Sequence, residues 1–177
     1  MQETLKEIRL ALFARRNGVV ADALKASGDP HELIMGCPLS DITPVAQVYE
    51  PSTELAEALW ADRKHRECRL IATMLYPIAQ CDLPTALRWC RDVMNVEEAD
   101  VLCHRLLRHL ECAPTVMRQL LAEEAPLLRY TAFRLMLNLT ASGRMAMTDE
   151  LRQVVSDEAA QGHSAGMAAL LKNLLED

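Results

Sequence analysis

The sequence is short of aromatic residues, glycine and long apolar runs, and each shortage closes a class of explanation. Only 4% of the 177 residues are aromatic and six are glycine. No Gly-rich phosphate loop, His-Glu-x-x-His motif or Ser/His/Asp set occurs, so ordinary kinase, metallopeptidase and hydrolase chemistry has no footing. No apolar run reaches the roughly 20 residues of a membrane span. The first residues, Met1-Gln2-Glu3-Thr4-Leu5-Lys6-Glu7, are charged where a signal peptide needs an apolar stretch. The expectation is a soluble, cytoplasmic protein with no membrane partner.

Cysteine is present without the spacing that would give it chemistry. Cys37, Cys68, Cys81, Cys90, Cys103 and Cys112 form no Cys-x-x-Cys pair. They read as packed free thiols in a reducing compartment. No metal and no cofactor is expected. His104 and His109 flank Arg105 and Arg108 without a cysteine or carboxylate at ligand spacing, and read as surface or boundary histidines.

Half of the residues are apolar, with Leu, Ala and Met plentiful. These are helix formers, and the length suits one domain with a core of its own. The net charge of −6 argues at first against a nucleic-acid partner. Its distribution is uneven. Residues 60–144 hold twelve Lys/Arg against ten Asp/Glu, whereas residues 145–177 hold two against six. The middle of the chain is mildly basic and the acidity lies mainly at the ends.

Periodicity and punctuation predict helices throughout. Thr4–Leu12 is amphipathic, Arg15–Gly18 is a break, and Val19–Ala26 continues to a stop at Ser27-Gly28-Asp29-Pro30. Gly36-Cys37-Pro38 reads as a turn, followed by a short helix near Thr43–Tyr49 with Pro44 in its first turn. Beyond Pro51 the expected helices are Ser52/Thr53–Asp62, Lys64–Leu75, Leu83–Val93, Val96–Leu110, Pro114–Glu123, Pro126–Leu139, Thr148–Ala160 and His163–Leu175. The start signals Ser52, Leu83, Pro114 and Thr148 lie 31, 31 and 34 residues apart. Each period holds two helices, the spacing of a helical-hairpin solenoid. The second helices share a pattern: Arg69-Leu70-Ile71-Ala72 and Leu75 match Arg129-Tyr130-Thr131-Ala132 and Leu135. The expected fold is all-α, an α-α superhelix of HEAT-like helical hairpin repeats in a single domain over 1–177. Residues 1–50 supply N-terminal helices, and 51–177 supply about four helix pairs.

Three stretches together carry a resemblance. They are Ala58-Leu59-Trp60-Ala61-Asp62 with His65-Arg66-Glu67-Cys68-Arg69-Leu70-Ile71-Ala72; Asn95-Val96-Glu97-Glu98-Ala99-Asp100; and Pro126-Leu127-Leu128-Arg129-Tyr130-Thr131-Ala132. Gly36-Cys37-Pro38-Leu39 with Pro44-Val45-Ala46 adds a weaker fourth. Their order and spacing resemble the DNA alkylation repair family of HEAT-like proteins, whose founding members are alkylpurine DNA glycosylases. The resemblance covers roughly 18–175 and suggests a shortened, divergent member.

The resemblance implies binding of damaged duplex DNA, with excision of alkylated purine bases as the family activity. Asp100 matches the family's catalytic carboxylate, and Arg129 matches an arginine that lies near the DNA backbone. The family's middle motif reads Trp-Asp-x-x-Asp, and Val96 stands here in place of its aromatic. A further aromatic of the last repeat has no counterpart in Ser164–Leu175. A carboxylate and aromatic faces together stabilise a cationic base and the positive sugar left as it departs. This chain keeps one half of that device. The alternative implied by these departures is a catalytically degenerate scaffold that binds DNA structures or a protein partner.

The residues admit plainer readings as well. Asp100 lies near the start of a predicted helix, where Glu97, Glu98 and Asp100 would all favour the helix dipole. Arg66, Arg69, Arg88, Arg91, Arg105, Arg108 and Arg129 could line one phosphate-binding surface, with Arg66, Arg69, Arg105, Arg108 and Arg129 the candidate DNA contacts. They could equally form a solvated face salted with Glu67, Asp92 and Glu111. Trp60 and Trp89 read as packing residues between repeats.

Overall fold

The structure, a computed structural model, describes residues 1–176 and is all-α. The N-terminal helices are α1 (Gln2–Phe13), α2 (Gly18–Ala26), α3 (Leu39–Ala46), α4 (Thr53–Trp60) and α5 (Arg66–Leu75). After them come α6 (Leu83–Asp92), α7 (Val96–Arg105), α8 (Ala113–Leu121), α9 (Pro126–Ala141), α10 (Asp149–Ala159) and α11 (Ala165–Glu176). Short 3-10 turns cover Ile78–Gln80 and Leu107–His109. Among the described residues there is no strand, only an isolated bridge between Leu33 and His65. No described helix is long and apolar enough to cross a membrane.

The starts follow local chemistry. Asn17, Ser52, Asp82, Asn95 and Thr148 each accept a hydrogen bond from the backbone N–H three residues on. Such a cap satisfies one of the N–H groups that a helix start leaves open. Two expected boundaries move. α3 begins at Leu39, not near Thr43, because Pro38 is extended and already feeds the chain into the helix; Pro44 therefore lies in its second half. The helix expected over Val96–Leu110 ends at Arg105. Leu106, Leu107 and Leu110 are all buried. The chain tightens there into the 3-10 turn, and the apolar pattern does not mark the change, because Leu106, Leu107 and Leu110 would share one face of a continuing α-helix as well.

The helices gather into two compact units, Met1–Cys81 and the chain from Asp82 onward. The division falls between the first and second helix pairs, so α4 and α5 belong with the N-terminal helices. In the N-terminal unit α5 is central. It packs against α1, α3 and α4, and nine of its ten residues are buried. In the C-terminal unit α9 has the same place, packed by α6, α7, α8 and α11. There α6 lies on α8 and α7 on α9, so first helices stack on first and second on second.

The two matched stretches, on α5 and α9, do the same job. Arg69 donates to the carbonyl of Trp60, the last residue of α4, at 2.5 Å. Arg129 donates to the carbonyl of Leu121, the last residue of α8, at 2.7 Å. In each unit an arginine of the second helix closes the C-terminus of the helix before it, where open carbonyls and the negative dipole end favour a cation. Ala72 and Ala132, three residues on, are fully buried where the helices approach.

α5 also carries a buried charged turn that holds the preceding loop. Glu67 is fully buried and accepts from the backbone N–H groups of Met35 at 3.1 Å, Gly36 at 2.9 Å and Cys37 at 3.2 Å. Arg66 donates to the same carboxylate at 2.7 Å and to the Cys37 carbonyl at 3.2 Å. Gly36 has φ +76°, and a Cβ there would stand 2.2 Å from the Asn17 carbonyl oxygen. Only glycine allows the loop this close to the start of α2.

Candidate functional site

Asp100 lies in the second turn of α7, and the first-turn work is done by another acid. Glu98 is fully buried and accepts from the Met94 N–H at 2.8 Å, while its own N–H is capped by Asn95. Asp100 instead turns to α9. Arg134 approaches it with two nitrogens, Nε at 2.6 Å and a terminal nitrogen at 3.0 Å. The Tyr130 hydroxyl donates to it at 2.8 Å. The carboxylate is about one-third exposed. A forked Arg–carboxylate pair fixes orientation as well as charge. The dipole reading of Asp100 therefore gives way to a cross-helix triad.

Sequence reasoning passed over Tyr130 and Arg134 as site residues. Arg134 sits 34 residues after Asp100, about one helix-pair period, and that spacing was the available signal. Burial pushes the Tyr130 phenol up to about 12, so it stays a protonated donor. Its ring is 6% exposed and offers no face to a base. Val96 is 46% exposed at the position where an aromatic was expected. The site thus presents a carboxylate, a guanidinium and a phenolic hydroxyl, without an aromatic cleft.

The candidate DNA-contact arginines separate into three kinds. Arg66 is 3% exposed and Arg69 is fully buried. Arg66 serves Glu67 and the Cys37 carbonyl, and Arg69 stacks over Trp60 at 3.9 Å while closing α4. Neither reaches the surface, which corrects the expectation that they face phosphates. Arg129 is tied on both sides, to the Leu121 carbonyl and by both Nε and a terminal nitrogen to Glu158 of α10, a nearly buried acid. Its charge is answered inside the unit. Trp60 and Trp89 are buried, in keeping with packing roles.

Arg105 ends α7 and Arg108 lies in the 3-10 turn after it, and both act on His104 together with Arg134 of the triad. They do not share an α-helical face, because the chain passes into the 3-10 turn between them. With His104, His109, Arg134 and Arg144 they form a basic cluster. Burial and then the neighbouring arginines Arg108 and Arg105 hold the His104 imidazole below its ordinary pKa. Burial, Arg108 and Arg144 do the same to His109. Arg144 reaches back to the carbonyls of Arg108 at 2.5 Å and Leu110 at 3.3 Å. Arg88 and Arg91 are exposed on α6, where Arg91 pairs with Glu123 at 2.9 Å.

With this geometry in place, comparison with known families is decisive on one point. The family model described as DNA alkylation repair enzyme matches residues 8–172, nearly the whole chain. The chain belongs to that family. No curated protein and no solved structure matches it. Within the DNA alkylation repair family, then, this member sets Asp100 against an arginine and a tyrosine of α9.

Two other features of the N-terminal unit bring polar groups together. Asp62, His65 and Cys68 bring potential metal-ligand atoms within 4.8 Å of one another. Arg9 already supplies the cation there, at 2.6 Å from Asp62. Burial lifts the Cys68 thiol to about 12, so it is not a ready thiolate ligand. A cleft of about 760 Å³ in the N-terminal unit is lined by Phe13, Arg16, Asp22, Lys25, Glu32 and Leu33 among others. Its two basic and two acidic side chains cancel, which gives a polyanion no hold.

Proposed function

We propose that the protein works in DNA alkylation repair by binding damaged duplex DNA through the α7–α9 face of its C-terminal unit. Asp100 is the stabiliser of positive charge at an alkylated purine and its sugar. The observation that carries the reading is the position of Asp100: part-exposed, oriented by Arg134 and Tyr130, and bordered by a basic cluster. The basic groups would hold backbone phosphates, and the carboxylate would meet charge that develops as a base leaves.

The test is release of alkylated purines from methylated duplex DNA by the purified protein and by Asp100→Asn. The substitution keeps shape and removes charge. A fall in release of about a hundredfold, with folding intact, is expected for loss of one preorganised electrostatic group. Equal release by both proteins would remove Asp100 from the chemistry.

A second reading has its own support. Arg134 already balances the Asp100 charge, Val96 stands where an aromatic was expected, and the Tyr130 ring is buried. On that reading the chain binds DNA structures, or a protein, without excision. Salt-sensitive duplex binding without base release would select it. Absence of duplex binding at low salt would turn it to a protein partner.

A further inference from the structure

The basic cluster beside Asp100 contains a detail that an ordinary arginine patch lacks. The Arg108 Nε–H donates to His109 Nε2 at 3.1 Å. That bond needs a lone pair on Nε2, so His109 is neutral while it is made, and one edge of Arg108 is occupied by it. His104 is exposed on the last turn of α7 and faces Arg105, Arg108, His109 and, from α9, Arg134. His109 is exposed as well and faces Arg108 and, from the segment after α9, Arg144. Asp100 lies one turn before His104 and is bound by Arg134; Glu111 follows the turn in sequence.

Burial first, and then repulsion from the surrounding guanidinium groups, favours the neutral form of both imidazoles. An anion placed among them reverses that balance. It screens the arginines, favours the imidazolium forms and turns both rings into donors. Protonation of His109 at Nε2 also ends its acceptance from Arg108, which frees that Nε–H for the anion. The backbone phosphate of a nucleic acid has the required charge and acceptor oxygens.

We propose that the turn after α7 is a proton-linked phosphate seat, in which His104 and His109 become phosphate-binding cations beside Arg105, Arg108 and Arg144. It takes the duplex reading above as the source of the phosphate, but the seat itself requires only a phosphate group.

The experiment follows the histidine ring resonances across pH, assigned with His104→Gln and His109→Gln, first without ligand and then with inorganic pyrophosphate. The expected result is an upward shift of about one unit or more in the titrations of His104 and His109 with pyrophosphate. Titrations unmoved by pyrophosphate overturn the seat. The second arm measures binding of a short duplex DNA between about pH 7.5 and about pH 5.5. Tightening of about tenfold or more on acidification is expected. The double variant His104→Gln/His109→Gln should flatten that slope. Salt-sensitive duplex binding with the same pH profile in both proteins overturns the seat and leaves the DNA reading standing. Pyrophosphate shifts without duplex binding keep the seat and remove duplex DNA as its ligand.

Discussion

Replacing Glu67 with alanine should cost the N-terminal unit much of its stability, for reasons that can be counted. The carboxylate is fully buried and receives three backbone N–H groups and one arginine nitrogen. Removal leaves three donors of the 35–37 loop and the Arg66 charge without their acceptor. Breaking a buried charged pair by deleting one partner costs about 3–5 kcal/mol. Individual hydrogen bonds to a charged group are worth about 1.5–3 kcal/mol, and they share one carboxylate and do not add. A loss of about 3–5 kcal/mol is expected for Glu67→Ala. Glu67→Gln keeps one oxygen acceptor and should lose about half as much. The assay is urea unfolding followed by tryptophan fluorescence, since Trp60 lies in this unit and Trp89 in the other. A Trp89→Phe background isolates the Trp60 signal. A Glu67→Ala loss below about 1 kcal/mol, the scale of an exposed pair, would refute the reasoning.

Gly36→Ala should destabilise the same unit by about 2 kcal/mol or more, because the new methyl meets the Asn17 carbonyl at a left-handed φ; an unchanged urea midpoint would argue against that close approach. At Asp62, burial pushes the carboxyl up, but hydrogen bonds from His65 and Arg9 outweigh it and leave the pKa below its ordinary value. That stabilisation is complete above the unfolded carboxylate pKa and is lost as pH falls through the folded one, below about pH 4. Asp62→Asn should therefore lower stability at neutral pH and flatten the acid limb of the urea midpoint against pH. Among the six cysteines only Cys112 is part-exposed, so a thiol reagent should label one site quickly in the native protein and the others only on unfolding.

Much of the helix pattern was legible because it depends on neighbours in sequence. Caps such as Ser52, Asn95 and Thr148 act within one turn, and the chain shows them directly. The boundary at Arg105 was hidden because the buried residues Ala99, Leu102, Cys103, Leu106, Leu107 and Leu110 keep α-helical spacing straight through it. Arg66, Glu67 and Arg69 misled for another reason. Three charges in one turn look like a wetted face, yet each is answered from a loop or a helix end that lies elsewhere in the chain. At the candidate site, Asp100 was singled out through resemblance. Arg134 and Tyr130 were within reach of the repeat spacing, since contacts between stacked helices recur at about one period. Their choice of partner required knowing that α7 lies on α9.

The arginines that close α4 and α8 take their hydrogen bonds from main-chain oxygen. Trp60 and Leu121 could hardly differ more as side chains, but their carbonyls look identical to a guanidinium. A joint made this way is indifferent to the residue it grips. Mutation can rewrite the end of the first helix, alter its bulk and change what it packs against, while the second helix still recognises where it stops. Divergence can then spread through the surfaces of such a chain long before it disturbs how consecutive helices are fastened, which is one physical route by which a family keeps its framework while its binding faces drift.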